Sequence, residues 1–368
     1  MGSGCDNRGV TVSRLDPTSR RVVEMVLRHG PISRVEMVQR TGLSSGSLTR
    51  ITSPLVGSGV LVEGQGKPAP VGRPSRPLEV VDGAARFLGI KVVPGRIYAT
   101  LVGLRGRVHG TAIEEADTSS AETTARAIAT LLDARAPRWA PEAIGVSLAA
   151  AVDPFGTVRA ARLLGWEGGN ITGAVAAVTG LRCAAANDVE ALALAEHWFG
   201  RGRGAHNFVV LTVGAGVGAG AIVDDTLLSG HQGAAAMLGR AWASDGRTFH
   251  EVLATEPLLR RACAATGRPV GVSDLAGGEA AVAEVLDDAA GVLGELAALA
   301  KLAFGPDRIL IAGEGVVAFV GRTEAVVRGM TRHCYEDLET PELVMGDEID
   351  FLDWARGGAA LAIRDTLR

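Results

Sequence analysis

The chain has 368 residues, of which 47% are hydrophobic and 21% charged, with a formal net charge of −4. That length exceeds one ordinary domain, and the composition excludes a disordered chain while allowing a sizeable core. No run approaches the ~18 uninterrupted apolar residues of a membrane span, and no charged-then-apolar leader stands at the N-terminus. The four cysteines, Cys5, Cys183, Cys263 and Cys334, have neither disulfide nor zinc-site spacing. A soluble, cytoplasmic protein without a metal or other cofactor is expected.

The charge is unevenly spread. Residues 1–81 hold eleven Arg or Lys and six Asp or Glu, a net of +5, which leaves −9 on the remainder. A basic head on an acidic body suggests that the head meets a polyanion. Residues 1–17 lack apolar periodicity and are expected to be a flexible arm. A first helix is predicted over 18–29, with Val22/Val26 and Val23/Leu27 at i,i+4 spacing, ended by Gly30-Pro31. A second starts at the capping box Ser33-Arg34-Val35-Glu36 and ends at Thr41-Gly42. A third covers 44–58 with Leu48, Ile51 and Leu55 on one face, and Pro54 should kink or restart it. Residues 60–81 read as strand, turn, strand, then linker.

From Phe87 the pattern changes. Strands are predicted over 87–93 and 97–102 around Pro94-Gly95, then a helix over 121–135 and a buried strand over 143–148. A strand at 183–186 runs into Asn187-Asp188 and a helix over 189–199. Strands 207–213 and 220–224 flank a glycine run. Helices dominate 248–304, with a strand at 308–312 and a last helix over 355–367. Strands alternating with helices imply an α/β body.

Three short helices and a wing form a winged helix-turn-helix pattern, whose third helix lies in the major groove of DNA. The residues placed to meet DNA are Ser44, Ser45, Ser47, Thr49 and Arg50 at its start, Arg34 on the second helix, and Lys67, Arg73 and Arg76 in the wing. Arg50 is long enough for a guanine edge or a phosphate. The plainer reading is a small helical bundle for protein contact, with the serines as caps. In the body, Val213-Gly214-Ala215-Gly216-Val217-Gly218-Ala219-Gly220 follows a strand, but a second strand comes next where a dinucleotide fingerprint needs a helix. It reads as a glycine hairpin, either a phosphate cradle or simply a tight turn.

These residues resemble a known family. Gly30-Pro31-Ile32-Ser33-Arg34-Val35-Glu36, Arg40-Thr41-Gly42-Leu43-Ser44 and Gly72-Arg73-Pro74-Ser75 resemble the DNA-binding head of ROK-family repressors. Residues 87–368 resemble the ROK sugar-kinase fold through Ala186-Asn187-Asp188-Val189-Glu190, Gly200-Arg201-Gly202-Arg203-Gly204, Thr212-Val213-Gly214-Ala215-Gly216-Val217-Gly218, Ala312-Gly313-Glu314-Gly315 and Ala355-Arg356-Gly357-Gly358-Ala359-Ala360. The resemblance implies a two-lobed, actin-like (ribonuclease H-like) body behind the head. The head with its linker would cover 18–81, the first lobe 82–190 plus 355–368, and the second 191–354. It implies that Asp188 stands where ROK kinases keep their general base, Asn187 beside it as a sugar partner, and Gly214, Gly216 and Gly218 in the phosphate loop. A helix N-cap is the plainer role for Asp188.

The departures from the family are equally informative. Its Asp-x-Gly phosphate motif is here Lys91-Val92-Val93. Its Glu-x-Gly-His segment has become Met237-Leu238-Gly239-Arg240, and its cysteine-rich zinc loop is Asp245-Gly246-Arg247-Thr248-Phe249-His250-Glu251. Leu163 replaces a sugar-contacting Asn. Of the sugar shell, Asn187, Asp188 and Glu251 remain. Arg240 either pairs with Asp188 and closes the site or suits it to an anionic ligand, and a neutral hexose should no longer bind in the family's geometry. The expectation is a DNA-binding transcriptional regulator, and a repressor rather than an enzyme. Its partners would be a double-stranded operator and a sugar or sugar-phosphate effector, and it would be a homodimer or tetramer. The alternative is an active ATP-dependent sugar kinase carrying a DNA-binding head.

Overall fold

A computed structural model describes residues 11–65, 76–276, 278–335, 337–346 and 348–368. Two compact units emerge. One holds the described residues of Met1–Ala150 with Phe155–Ala186 and Ala355–Arg368, and the other holds Ala151–Pro154 and those of Asn187–Trp354.

The first unit opens with three helices, α1 (Pro17–His29), α2 (Arg34–Thr41) and α3 (Ser45–Gly57). Asp16 caps α1 by accepting from the Thr18 and Ser19 amides, and Val22, Val23, Val26 and Leu27 form its buried stripe. Ser33 and Glu36 complete the reciprocal capping box of α2, which ends on left-handed Gly42. α3 runs through Pro54 as one helix, so of the two expected outcomes, a kink or a restart, the restart does not occur. Pro54 sits in the last turns, so it forfeits a single i→i−4 bond while Leu48, Thr52 and Leu55 stay buried on one face. Two short strands, β1 (Leu61–Glu63) and β2 (Leu78–Val80), pair antiparallel with Leu61 opposite Val80. The tip between them, with Lys67 and Arg73, lies outside the described residues.

β3 (Arg86–Val93), β4 (Arg96–Gly103) and β5 (Val108–Glu115) form an antiparallel meander. After α4 (Ala121–Arg135), β6 (Ala143–Leu148) returns parallel to β3. Two short strands, β7 (Ala151–Val152) and β8 (Val158–Ala160), then precede α5 (Ile171–Thr179) and β9 (Arg182–Asn187). The sheet order is β5-β4-β3-β6-β9. The second unit repeats the plan. α6 (Asp188–Phe199) leads into β10 (Phe208–Val213), β11 (Val217–Val223) and β12 (Thr226–Leu227); α7 (Phe249–Leu253), α8 (Thr255–Thr266) and α9 (Ala280–Phe304) precede β13 (Arg308–Ala312), and α10 (Thr323–Thr331) precedes β14 (Glu342–Met345). Its order, β12-β11-β10-β13-β14, has the same antiparallel meander followed by strands added in parallel. The last helix, α11 (Phe351–Leu367), returns to the first unit. β3, β6, β10 and β13 are buried along nearly their whole length, as central strands covered on both faces must be.

No free linker separates the three-helix head from the first sheet. Asp82 follows β2, and its carboxylate accepts from the Arg105 amide at 2.9 Å and meets His109 Nε2 at 2.7 Å. Its carbonyl accepts from the Leu104 amide at 2.9 Å. Residues 11–16, expected within a flexible arm, pack down as well: Val12 is fully buried and the Val12 and Ser13 amides donate to the Glu142 carboxylate. On the far side Arg20 Nη1 donates to the Thr366 carbonyl of α11. Asp82→Ala strips a charged acceptor from two donors and is expected to cost about 1–3 kcal/mol, read as a lowered denaturation midpoint. A variant as stable as the parent would show that water replaces the carboxylate without loss.

Candidate nucleic-acid interface and candidate ligand site

α2, the Gly42–Ser44 turn and α3 place one face of α3 in solvent. Gly46, Thr49, Arg50, Ser53 and Gly57 are exposed at helical spacing, opposite buried Leu48, Thr52 and Leu55. Several hydroxyls on this surface have internal duties. Ser44 is the N-cap, accepting from the Ser47 amide, and its own hydroxyl donates to Ser47 Oγ. Thr49 Oγ1 donates back to the Ser45 carbonyl. Arg50 is exposed and has no ion-pair partner among the described residues.

Arg34 faces inward. Its Nε donates to Thr52 Oγ1 at 2.9 Å and its Nη1 lies 2.9 Å from Glu63, which also meets Arg76 at 3.6 Å. One guanidinium therefore braces α2 to α3 and to β1. The Arg34 guanidinium holds the Glu63 carboxyl below the usual glutamate value of 4.5, against the opposing pull of burial. A carboxyl depressed in the folded state stabilises the head above its unfolded pKa, and that stabilisation fades as pH falls through the folded value. Arg34→Ala is expected to lower head stability at neutral pH and to flatten the acid limb of a melting-point-against-pH curve below about pH 4.5. An unchanged acid limb would show that Glu63 is not governed by Arg34.

In the second unit, glycines set the geometry around the β10–β11 hairpin. β11 begins at Val217, earlier than the sequence pattern suggests, so the turn is Gly214-Ala215-Gly216 and Gly218 lies within the strand. A Cβ on Gly218 would stand 2.7 Å from Val189 Cγ2, and one on Gly220 2.6 Å from the Val189 carbonyl. Both absences of a side chain let the start of α6 lie directly on β11, which is a packing reason for Gly218. Asn187 is the cap of α6, its Oδ1 accepting from the Val189 amide at 2.9 Å, whereas the cap was expected at Asp188. Asp188 is the first helical residue instead, nine-tenths buried, where an acid complements the helix dipole.

Gly239 brings a third segment in, since a Cβ there would overlap the Val217 carbonyl. Arg240 follows it, exposed, and no ion pair joins it to Asp188 among the described residues. Glu251 is engaged elsewhere: its carboxylate accepts from the Thr248 amide at 2.7 Å and hydroxyl at 2.8 Å in the capping box of α7. Those bonds, the amide first, hold its carboxyl below the ordinary range.

The residue that sequence reasoning gave no role is Glu314. The loop after β13 packs on the hairpin, with the Gly315 amide donating to the Val213 carbonyl at 2.9 Å. Glu314 Oε1 accepts from the Ala215 amide at 2.6 Å, and its Oε2 stands 2.6 Å from where a Gly214 Cβ would be. The Thr255 amide closes the other side by donating to the Gly214 carbonyl at 2.8 Å. In the first unit, Lys91 is buried on β3 opposite Tyr98 and Ser147, and Leu163 is 70% exposed. Among the described residues, no group of three or more His, Cys, Asp or Glu is arranged to hold a metal ion, and no helix is long and apolar enough to cross a membrane.

Residues 88–364 match the sequence profile of the ROK family. The chain belongs to the ROK family. This ROK protein is 26% identical over 335 residues to the DNA-binding transcriptional dual regulator NagC of Escherichia coli (strain K12), spanning 80% of each chain. Its fold is similar to the crystal structure of a ROK family transcriptional regulator homologous to the E. coli MLC protein, with a TM-score of 0.76, 22% identity and coverage of 95% of this chain and 96% of that one. A ROK hexokinase from Thermus thermophilus superposes with a TM-score of 0.64 and 24% identity, covering 76% of this chain and 98% of that one. The mixed α/β body is thus shared with both regulators and kinases of the family.

Proposed function

We propose that this ROK protein is a sequence-specific DNA-binding transcriptional regulator, acting as a repressor, whose kinase-like body no longer transfers phosphate. The observation that carries the reading is where the similarities end. The family profile begins at residue 88, beyond the head, and the hexokinase covers 76% of the chain, whereas the regulator structure covers 95%, which supports a head of the regulators' kind. The head has the parts of a winged helix-turn-helix domain over 18–81: α2, a three-residue turn, α3 with its exposed face, and the β1–β2 ribbon as base of a wing. Its net charge of +5 over residues 1–81 suits a phosphate backbone.

In this reading α3 enters the major groove with Ser45, Gly46 and Arg50 foremost. Arg34 supports α3 from behind, and Arg76 flanks the wing. Lys67 and Arg73, on the tip outside the described residues, are assigned to the backbone by sequence alone. Two heads pair across a pseudo-palindromic site in a homodimer, because a two-fold assembly matches two half-sites. The body, with lobes 82–190 plus 355–368 and 191–354, provides dimerisation and senses a sugar-class effector around Asn187 and Asp188. NagC is itself a DNA-binding regulator, which supports the operator as partner.

Lys91 supports the loss of kinase chemistry. A buried lysine at the position that the resemblance assigns to the family's phosphate-motif acid supplies no carboxylate to help hold a metal–phosphate assembly. The test is genomic capture of bound DNA followed by gel-shift titration of the recovered sequence, with ATP consumption followed in parallel over a sugar panel. A discrete palindromic site and no turnover are expected. Sugar-dependent ATP consumption with no sequence preference would replace this reading with that of a sugar kinase.

A further inference from the structure

We propose that the Glu314 carboxylate is a resident anion seated in the glycine hairpin of the second unit, and that it excludes phosphate from this corner of the protein. A glycine turn that exposes backbone N–H groups is an anion site by construction, because amide dipoles converge where no side chain intrudes. Here that position is already taken. Ala215 donates its N–H to Glu314 Oε1 at 2.6 Å, so the turn's amide already has a carboxylate oxygen as its acceptor. Gly214 has no side chain where the carboxylate lies, and any Cβ there would collide with it.

The loop carrying Glu314 is itself fixed. Gly313 adopts φ +109 where a Cβ would overlap the Val213 carbonyl, and the Gly315 amide donates to that same carbonyl. The acid is therefore delivered to the hairpin by backbone geometry on both sides of it. Two consequences follow for an incoming polyphosphate. The Ala215 donor is already satisfied, and a unit negative charge stands where the phosphate oxygens would go. Thr255 engages the hairpin from another side, its amide donating to the Gly214 carbonyl. A ligand meeting this corner must bring donors, such as hydroxyl or ammonium groups, rather than phosphate oxygens. Glu314 is thus a specificity-determining residue. The inference stands apart from the DNA reading, since it concerns anion selection in the body alone.

Calorimetric titration of the full chain with sodium tripolyphosphate, and separately with ATP and magnesium, tests it in the parent, Glu314→Ala and Glu314→Gln. Glu314→Gln keeps the length and an acceptor oxygen while removing the charge, so it guards against a hairpin that collapses on truncation. The parent should give no binding heat. Tripolyphosphate should bind Glu314→Ala roughly 10- to 100-fold more tightly than any residual parent affinity, the worth of one hydrogen bond to a charged group, with Glu314→Gln between the two. Parent binding as tight as that of the variants would overturn the proposal, and so would variants as silent as the parent. Gel-shift titration of the same three proteins separates the two readings: operator binding kept throughout, with anion binding unchanged, sinks this inference alone.

Discussion

Gly89→Ala and Gly145→Ala are each expected to leave the chain largely unfolded, with losses above about 4 kcal/mol, at the far end of what single substitutions do. The cause is the seat of α11 on β3 and β6. A Cβ at Gly89 would overlap the Ala355 carbonyl and stand 2.5 Å from the Ala359 amide nitrogen, while one at Gly145 would overlap the Gly358 carbonyl. These obstacles are helix backbone, which cannot rotate aside as a side chain does. Gly358 faces Gly145 in turn, its own Cβ position 2.6 Å from the Gly145 carbonyl, so neither element can yield. The whole stability of a domain is only about 5–15 kcal/mol, so little would remain. Gly216→Ala is the control: nothing lies within 4 Å of a Cβ there, and a change within about 0.5 kcal/mol is expected. Denaturant titration of the three variants is the measurement. A Gly89→Ala protein within about 1 kcal/mol of the parent would show that α11 does not rest on β3 as described.

The same close approaches explain which parts of the fold were readable in the sequence. α4 and β6 have the predicted bounds, 121–135 and 143–148, because an Ala-rich helix pattern and an unbroken buried run are local signals. The β3–β4 hairpin follows from Pro94-Gly95 between two apolar runs. α10 went unread, and its interior Gly329 shows why. That residue is a weak helix former, tolerated where a Cβ would overlap the Gly291 carbonyl of α9, a contact between segments distant in sequence. β14, a four-residue strand at the sheet edge with no fully buried position, lacks any periodic signal. At the site, the family resemblance pointed to Asn187, Asp188 and the hairpin, and the glycine packing does bring the start of α6, the hairpin and Arg240's segment around β11. What stayed hidden were the engagements. Glu251 reads as a ligand residue until Thr248 is seen to occupy it, and Arg34 as a phosphate contact until Thr52 and Glu63 are. Glu314, an acid between two glycines, looks like any loop residue, and its partner Ala215 is 99 positions away.

Arg50→Ala should weaken operator binding by about 1–3 kcal/mol, roughly 5- to 150-fold, with the fold intact. The argument rests on what its neighbours are already doing. Ser44 and Ser47 share the helix cap, Thr49 is bonded to its own backbone, and Arg34 is turned inward, which leaves Arg50 as the long, exposed and uncommitted donor on the outward face of α3. Gly46, one turn earlier on the same face, has nothing within 4 Å of a Cβ position and lets that end of the helix approach the groove closely. The two roles open to Arg50 leave different traces. A guanine contact is bidentate, so Arg50→Ala relaxes preference at one base pair, and Arg50→Lys, which keeps the charge but loses the planar fork, rescues little. A phosphate contact carries charge alone, so Arg50→Ala weakens all sequences alike, lowers the salt slope by about 1, and Arg50→Lys rescues most of the affinity. Exposure of the side chain predicts no change in denaturation midpoint for either variant, in contrast to Arg34→Ala. Gel-shift titrations at several salt concentrations, on the captured site and on single-base variants of it, distinguish the two roles. Unchanged affinity together with unchanged base preference would remove Arg50 from the interface and shift the reading burden to Ser45 and the wing.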